Sequence, residues 1–209
     1  MLNKSIYLIG TDGSGKTTYI KKLQKKYNIN FEYIWIRSPK IFSKPLMLIC
    51  RIFRLTNYKY INNVKFGKHS FEKSKFVSHV YPYLQLLDFK IIWFLKKIFI
   101  QNNKNMIFDR FSIDTLADIM VSTKKMYIHK TWVGRQFIKS IPENTILLNI
   151  YVNEKNIKKR KFDTKFDDNI ELKIKVYKIL CDYLNIPLFD NNKDITIVFD
   201  EICSYVENK

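Results

Sequence analysis

The chain has 209 residues, of which 46% are hydrophobic and 27% charged, a balance that excludes a disordered segment and gives one globular domain enough material for a sizeable core. With 37 Lys and Arg against 19 Asp and Glu the formal charge is +18, a field that draws nucleic acid, anionic lipid or a polyphosphate ligand, although Lys, Asn and Ile recur throughout and some of the charge is compositional. Cys50, Cys181 and Cys203 have no paired spacing and His69, His79 and His129 join them in no ligand pattern, which argues against a disulfide or zinc framework and fits a reducing compartment.

Residues 1–9 hold one short apolar run that leads straight into a Gly-rich loop, unlike a secretory leader. The most apolar stretch, 77–100, contains Pro82, Asp88, Lys90, Lys96 and Lys97, too polar for a spanning helix. A cytoplasmic location is the expectation.

In chain order, short apolar runs alternate with helix-like segments, the pattern of repeated βα units around a parallel sheet. Ser5–Ile9 reads as the first strand, and the loop 10–15 opens a helix over 16–27 in which Ile20, Leu23 and Tyr27 recur at helical spacing. A second strand is expected over 31–36, followed by helices over 43–55 and 72–101, the latter broken near Pro82. Residues 105–108 form a third strand that ends on Asp109-Arg110, with a helix over 112–120 behind it. The fourth strand covers 145–152, and Asn153 caps the next helix with Glu154 in its first turn. A charged connection, 161–168, precedes a helix over 170–184, a short strand over 187–190 and a closing helix over 195–207. Residues 37–75 carry ten Lys or Arg against one acid, Glu72, and are the most basic stretch.

Residues 10–17 read Gly-Thr-Asp-Gly-Ser-Gly-Lys-Thr, a complete phosphate cradle between an apolar strand and an amphipathic helix. Gly10, Gly13 and Gly15 permit the backbone angles that turn N–H groups inward, with Thr11, Asp12 and Ser14 between them. The helix start aims its positive end at the same phosphates, as do Lys16 and, behind it, Thr17 and Thr18. Lys16 neutralises the β- and γ-phosphates of ATP and the Thr17 hydroxyl ligates Mg2+. The guanine-reading and switch signatures of GTPases are missing. In their place Asp109 can hold Mg2+ or position an acceptor hydroxyl, while Arg110 reaches the bound phosphate.

From Gly10 to Thr18 the loop is similar to that of the thymidylate kinase family, and Asp109-Arg110-Phe111 followed by Thr115-Leu116-Ala117 resembles that family's Asp-Arg-Tyr segment. Leu188-Phe189-Asp190-Asn191 is similar to its late strand and loop beside the adenine. The resemblance implies a three-layer α/β/α fold with about five parallel strands in one domain over 1–209, a basic helical acceptor-side insertion at about 40–100 and a lid at about 154–168. It also implies ATP-dependent phosphoryl transfer to dTMP or a related nucleotide or nucleoside. The loop has no Arg of its own, so Lys158, Lys159, Arg160 and Lys161, where the family keeps lid arginines, must close over the transferring group. Arg160 leads among them because only guanidinium makes the planar fork.

The acceptor side departs from the family. Its Arg-Glu-Pro is Arg37-Ser38-Pro39 here, which keeps a phosphate grip and loses the acid. Asp118 falls in the family's thymine-side Ala-Tyr-Gln and Asp114 replaces a family Ser; the two lie four apart on one helix face and with Asp12 crowd the acceptor site with carboxylates. Carboxylates suit hydroxyls, so a sugar or polyol kinase stays open beside the nucleotide kinase. The basic stretch leaves a third reading, an ATP-binding protein associated with a membrane surface or nucleic acid; no recognition motif for nucleic acid accompanies the charge. Homodimerisation stays open as well.

Overall fold

The computed structural model describes residues 4–28, 31–61, 64–100, 104–160, 164 and 167–209. Five parallel strands, β1 (Ser5–Ile9), β2 (Glu32–Ile34), β5 (Met106–Asp109), β6 (Thr145–Tyr151) and β7 (Leu188–Asp190), form one sheet in the order β2-β5-β1-β6-β7. Helices cover both faces, which is the three-layer architecture expected from the alternating pattern. The central strand β1 is buried at every position, and this is why it reads as an unbroken apolar run. Ile6 and Leu8 face a core shared with α1 (Lys16–Tyr27) and α8 (Ile195–Glu207), while Tyr7 and Ile9 face the other. That second core is larger and is built with α2 (Ser43–Ile52), α3 (Lys75–Phe99), α4 (Ser112–Thr123), α5 (Trp132–Ile138) and α7 (Ile170–Tyr183). Each fully buried Leu or Ile there contributes roughly 1.5–3 kcal/mol.

The strand order reverses beside β1, so the C-terminal ends of the strands open a crevice at one edge. Pairing of β2 with β5 continues past the strands through the Ile36 amide, which donates to the Arg110 carbonyl at 2.9 Å. That bond sets Arg37 beside Arg110.

Three local expectations change. Residues 56–69, to which no element was assigned, contain an antiparallel hairpin, β3 (Thr56–Ile61) with β4 (Val64–His69). The short helix α5 also goes unread in the sequence, its seven residues including Gly134. And α3 is not broken at Pro82. Pro82 lacks the N–H that would bond the Ser78 carbonyl, and Lys125 Nζ donates to that carbonyl instead, at 3.1 Å. Lys125→Met should therefore destabilise the fold by about 1–3 kcal/mol, the cost of an orphaned carbonyl, measurable as a lower denaturation midpoint; an unchanged midpoint would mean water serves the carbonyl equally well.

Asp88 accepts the Ile41, Phe42 and Ser43 amides at 3.1, 2.7 and 3.0 Å. It caps α2, which has no side-chain cap of its own. Gln85 adds bonds to the Pro39 carbonyl (2.9 Å) and the Ser43 hydroxyl (2.8 Å). The segment after Arg37 is thus fastened to α3.

Candidate active site

The loop between β1 and α1 needs glycine for two separate reasons. A Cβ on Gly10, at φ +145°, would stand 2.4 Å from the Ile150 carbonyl of β6, and one on Gly15, at φ +96°, 2.7 Å from Asn191 Nδ2. Asn191 braces the loop, donating from Nδ2 to the Ser14 carbonyl (2.7 Å) and accepting from the Tyr19 hydroxyl (2.5 Å). Inside the loop Lys16 is buried, with Nζ donating to the Gly10 and Thr11 carbonyls at 2.8 Å each. Burial, and then the Arg110 charge, bring its ammonium down from 10.5 to about 7.

Asp109, at the end of β5, meets the loop through one oxygen. Its Oδ2 accepts the Thr17 hydroxyl at 2.8 Å and the Tyr33 hydroxyl at 3.0 Å. Burial and the carboxylate push the Tyr33 phenol up to about 12, so it stays a donor and orients Asp109. Among the described residues no group of three or more His, Cys, Asp or Glu is arranged to hold a metal ion by itself. One carboxylate, one hydroxyl and the oxygens of a bound nucleotide are nevertheless a fitting donor set for Mg2+, which binds few protein ligands.

Beside it stands a network of two arginines and three aspartates. Arg110, in the left-handed region at φ 80°, donates to the Gly10 carbonyl (3.0 Å), Asp114 (2.9 Å) and the Tyr177 hydroxyl (3.2 Å), and forms an ion pair with Asp12. Arg37 reaches Asp118 through Nε (3.0 Å) and Nη2 (3.2 Å), and Asp12 through Nη1 (3.0 Å). Ser38, also at positive φ, donates to Asp118 at 3.0 Å. Burial alone would raise the Asp12 carboxyl, but Arg110 and Arg37 hold it well below the carboxylate range; at Asp118 burial is likewise outweighed by Arg37, and the carboxyl is lowered.

Asp12, Arg37 and Asp118 therefore come together. Asp114 does not line the cleft: its side chain is 1% exposed. It lies beneath Arg110 and accepts from the Tyr7 hydroxyl (2.6 Å), the Tyr177 hydroxyl (2.7 Å) and the Phe111 amide (3.0 Å). The carboxylates that argued for a hydroxyl-bearing acceptor are engaged with guanidinium groups, and they fix those groups in place.

Of the cations expected to form a lid, Arg160 at the end of α6 (Glu154–Arg160) borders the cleft and donates from Nη2 to the Asn191 carbonyl at 2.7 Å. Lys158 pairs with Glu154 at 2.6 Å on the surface and Lys159 is exposed. Lys161 lies outside the described residues. Lys16, Thr17, Arg37, Asp109, Arg110 and Arg160 all border one cleft of about 770 Å3, which Trp35 and the loop after β7 complete. That is room for a nucleotide-sized ligand.

Among solved structures, thymidylate kinase from Candida albicans aligns over 99% of this chain and 92% of its own, with a TM-score of 0.58 at 16% identity. The chain has the P-loop kinase fold. Deoxyadenosine kinase from M. mycoides, solved with dATP, matches at TM-score 0.49 and 16% identity over 97% of this chain and 99% of its own. The YorR protein from Bacillus subtilis, solved with phosphorylated GDP, matches at 0.48 and 14% over 97% and 95%. No protein-family model matches the chain, and no curated protein sequence matches it. Tyr7, Tyr33 and Tyr177 are site-building residues in this P-loop kinase fold that the sequence motifs do not single out; each is joined to its partner across 63 or more positions.

Proposed function

We propose that this chain is a magnesium-dependent nucleotide kinase that transfers the ATP γ-phosphoryl group to a nucleoside monophosphate, with dTMP the first candidate. The observation that carries the reading is Arg37, held by Asp118 and Asp12 on the same cleft as the phosphate cradle. A planar guanidinium opposite a phosphate loop is the grip a second phosphate calls for. The C. albicans likeness supports the same choice at the level of fold.

In this reading the loop amides and Lys16 hold the donor phosphates. An acceptor phosphate oxygen attacks the γ-phosphorus in line, a new P–O bond forms, and the bond to the bridging oxygen breaks to release ADP. Charge spread over the transferring group is met by Lys16, Arg110 and, from the lid, Arg160. Thr17 and Asp109 are the protein oxygens that would hold Mg2+, which draws charge from the β- and γ-phosphates when bound.

A coupled ADP-release assay over nucleoside monophosphates, nucleosides and sugars tests this. Turnover with nucleoside monophosphates supports it, and turnover confined to sugars or polyols would replace it with the hydroxyl-acceptor reading. Arg37→Ala should raise the acceptor KM by on the order of 10- to 100-fold, the loss of a charged hydrogen-bonding partner. The KM for ATP should move little. Equal rises in both would place Arg37 outside the acceptor grip.

A further inference from the structure

Of the 21 large hydrophobic side chains exposed among the described residues, 13 fall between residues 41 and 99. That far exceeds the scattered singles an ordinary surface shows. The helix α2 hides Ser43, Leu46 and Cys50 and turns Leu48, Ile49, Ile52 and Phe53 outward at 48–71% exposure, with the exposed Lys44 and Arg54 at its two ends. Its start is bonded to Asp88 and Gln85; just past its end Leu55 bonds back to the Cys50 carbonyl and accepts from the Ser70 amide ahead of α3, so it runs antiparallel to the first half of α3 and presents a fixed face. The outer side of α3 is alike in kind, Phe94 and Ile98 alternating with Lys90 and Lys97.

The charge of this region is not background. Residues 40–100 hold 12 Lys or Arg and two acids, against 25 and 17 in the rest of the chain. Both acids are occupied: Asp88 is buried under the α2 amides, and Glu72 pairs with Lys124 at 3.2 Å.

We infer that the outward face of α2 docks on an anionic lipid surface. Leu48, Ile49, Ile52 and Phe53 enter the headgroup boundary while Lys44 and Arg54 meet the lipid phosphates and carboxylates. The contact is peripheral, since no helix among the described residues is long and apolar enough to cross a membrane. A second copy of the chain fits less well, because two-fold pairing sets one basic face against itself. Nucleic acid fits less well because three of the four, Leu48, Ile49 and Ile52, are aliphatic and gain nothing from a phosphate backbone or from base stacking. The inference does not depend on the phosphotransfer reading.

Co-sedimentation of the full chain with phosphatidylcholine vesicles, with and without phosphatidylserine, tests it. Binding to the anionic vesicles should be at least about tenfold tighter and weaken with salt. The double variants Ile52→Asp with Phe53→Asp and Lys44→Glu with Arg54→Glu should each lose about tenfold or more. Both pairs are exposed, so nucleotide binding should persist and report that the fold is intact. No binding to anionic vesicles at low salt, or equal binding by the variants, overturns the inference. A dimer in light scattering that Ile52→Asp with Phe53→Asp splits, without vesicle binding, gives the face to a second copy. Oligonucleotide binding lost in Lys44→Glu with Arg54→Glu, again without vesicle binding, gives it to nucleic acid.

Discussion

Arg110→Met is expected to lower phosphoryl transfer by about 1,000-fold or more and to reduce unfolding free energy by about 3–5 kcal/mol in the same protein. The two effects have different origins. The guanidinium lies at the end of β5 between the loop carbonyl of Gly10 and the carboxylates of Asp12 and Asp114, where it can meet charge building on the transferring group. Its removal also strands Asp114, whose carboxylate is 1% exposed. Breaking a buried pair from one side costs far more than the pair itself contributes, because an uncompensated charge remains in low dielectric. Adding Asp114→Asn should therefore restore much of the stability, since Tyr7, Tyr177 and the Phe111 amide can still bond the amide side chain, and should leave activity low. Thermal melts and the coupled assay separate the two. If the double variant regains activity, Arg110 serves to neutralise Asp114 and has no part in transfer.

What could be read beforehand follows from how local the physics is. The cradle was legible because Gly10 to Thr18, the strand before and the helix after are contiguous, and each glycine has a backbone reason to be there. The spacing of Asp114 and Asp118 also carried true information, a shared helix face. Their chemistry did not follow from it, since the partners that occupy them come from elsewhere: Tyr7 on β1, Arg37 after β2 and Tyr177 on α7. Pro82 shows the same limit. The rule that proline breaks a helix holds for the helix alone, and Lys125, 47 positions from Ser78, supplies the bond the rule leaves missing.

The hairpin is a different case, because its signal is local. Tyr58 and Tyr60 alternate with Lys59, Val64 and Phe66 with Lys65, around Asn62-Asn63. That is a period-two pattern with a turn signal, set within the chain's most basic stretch. Arg160 could be ranked first among the lid cations by its chemistry. Its bond to the Asn191 carbonyl, which ties the end of α6 to the loop after β7, needed the fold.

Lys16→Met is expected to act with opposite signs on activity and stability. Transfer falls by about 100- to 1,000-fold, since a donor aimed at the developing charge is lost. The protein without nucleotide is stabilised near neutral pH, by up to a few kcal/mol. Burial and Arg110 bring the Lys16 ammonium from 10.5 down to about 7. Between those values the unfolded chain holds a proton that the folded chain does not, so wild-type stability rises with pH from about 7 toward 10.5. Methionine removes this dependence, and the advantage of the variant should shrink steadily over that range. A polyphosphate laid in the loop supplies the missing counter-charge and returns the proton. Nucleotide binding at about pH 8 should then take up close to one proton per site in the wild type and none through this group in the variant. Calorimetric titration in two buffers of different ionisation enthalpy measures the uptake. A wild type that takes up no proton, with a stability gap that ignores pH, would show that the loop holds its lysine charged and at no cost.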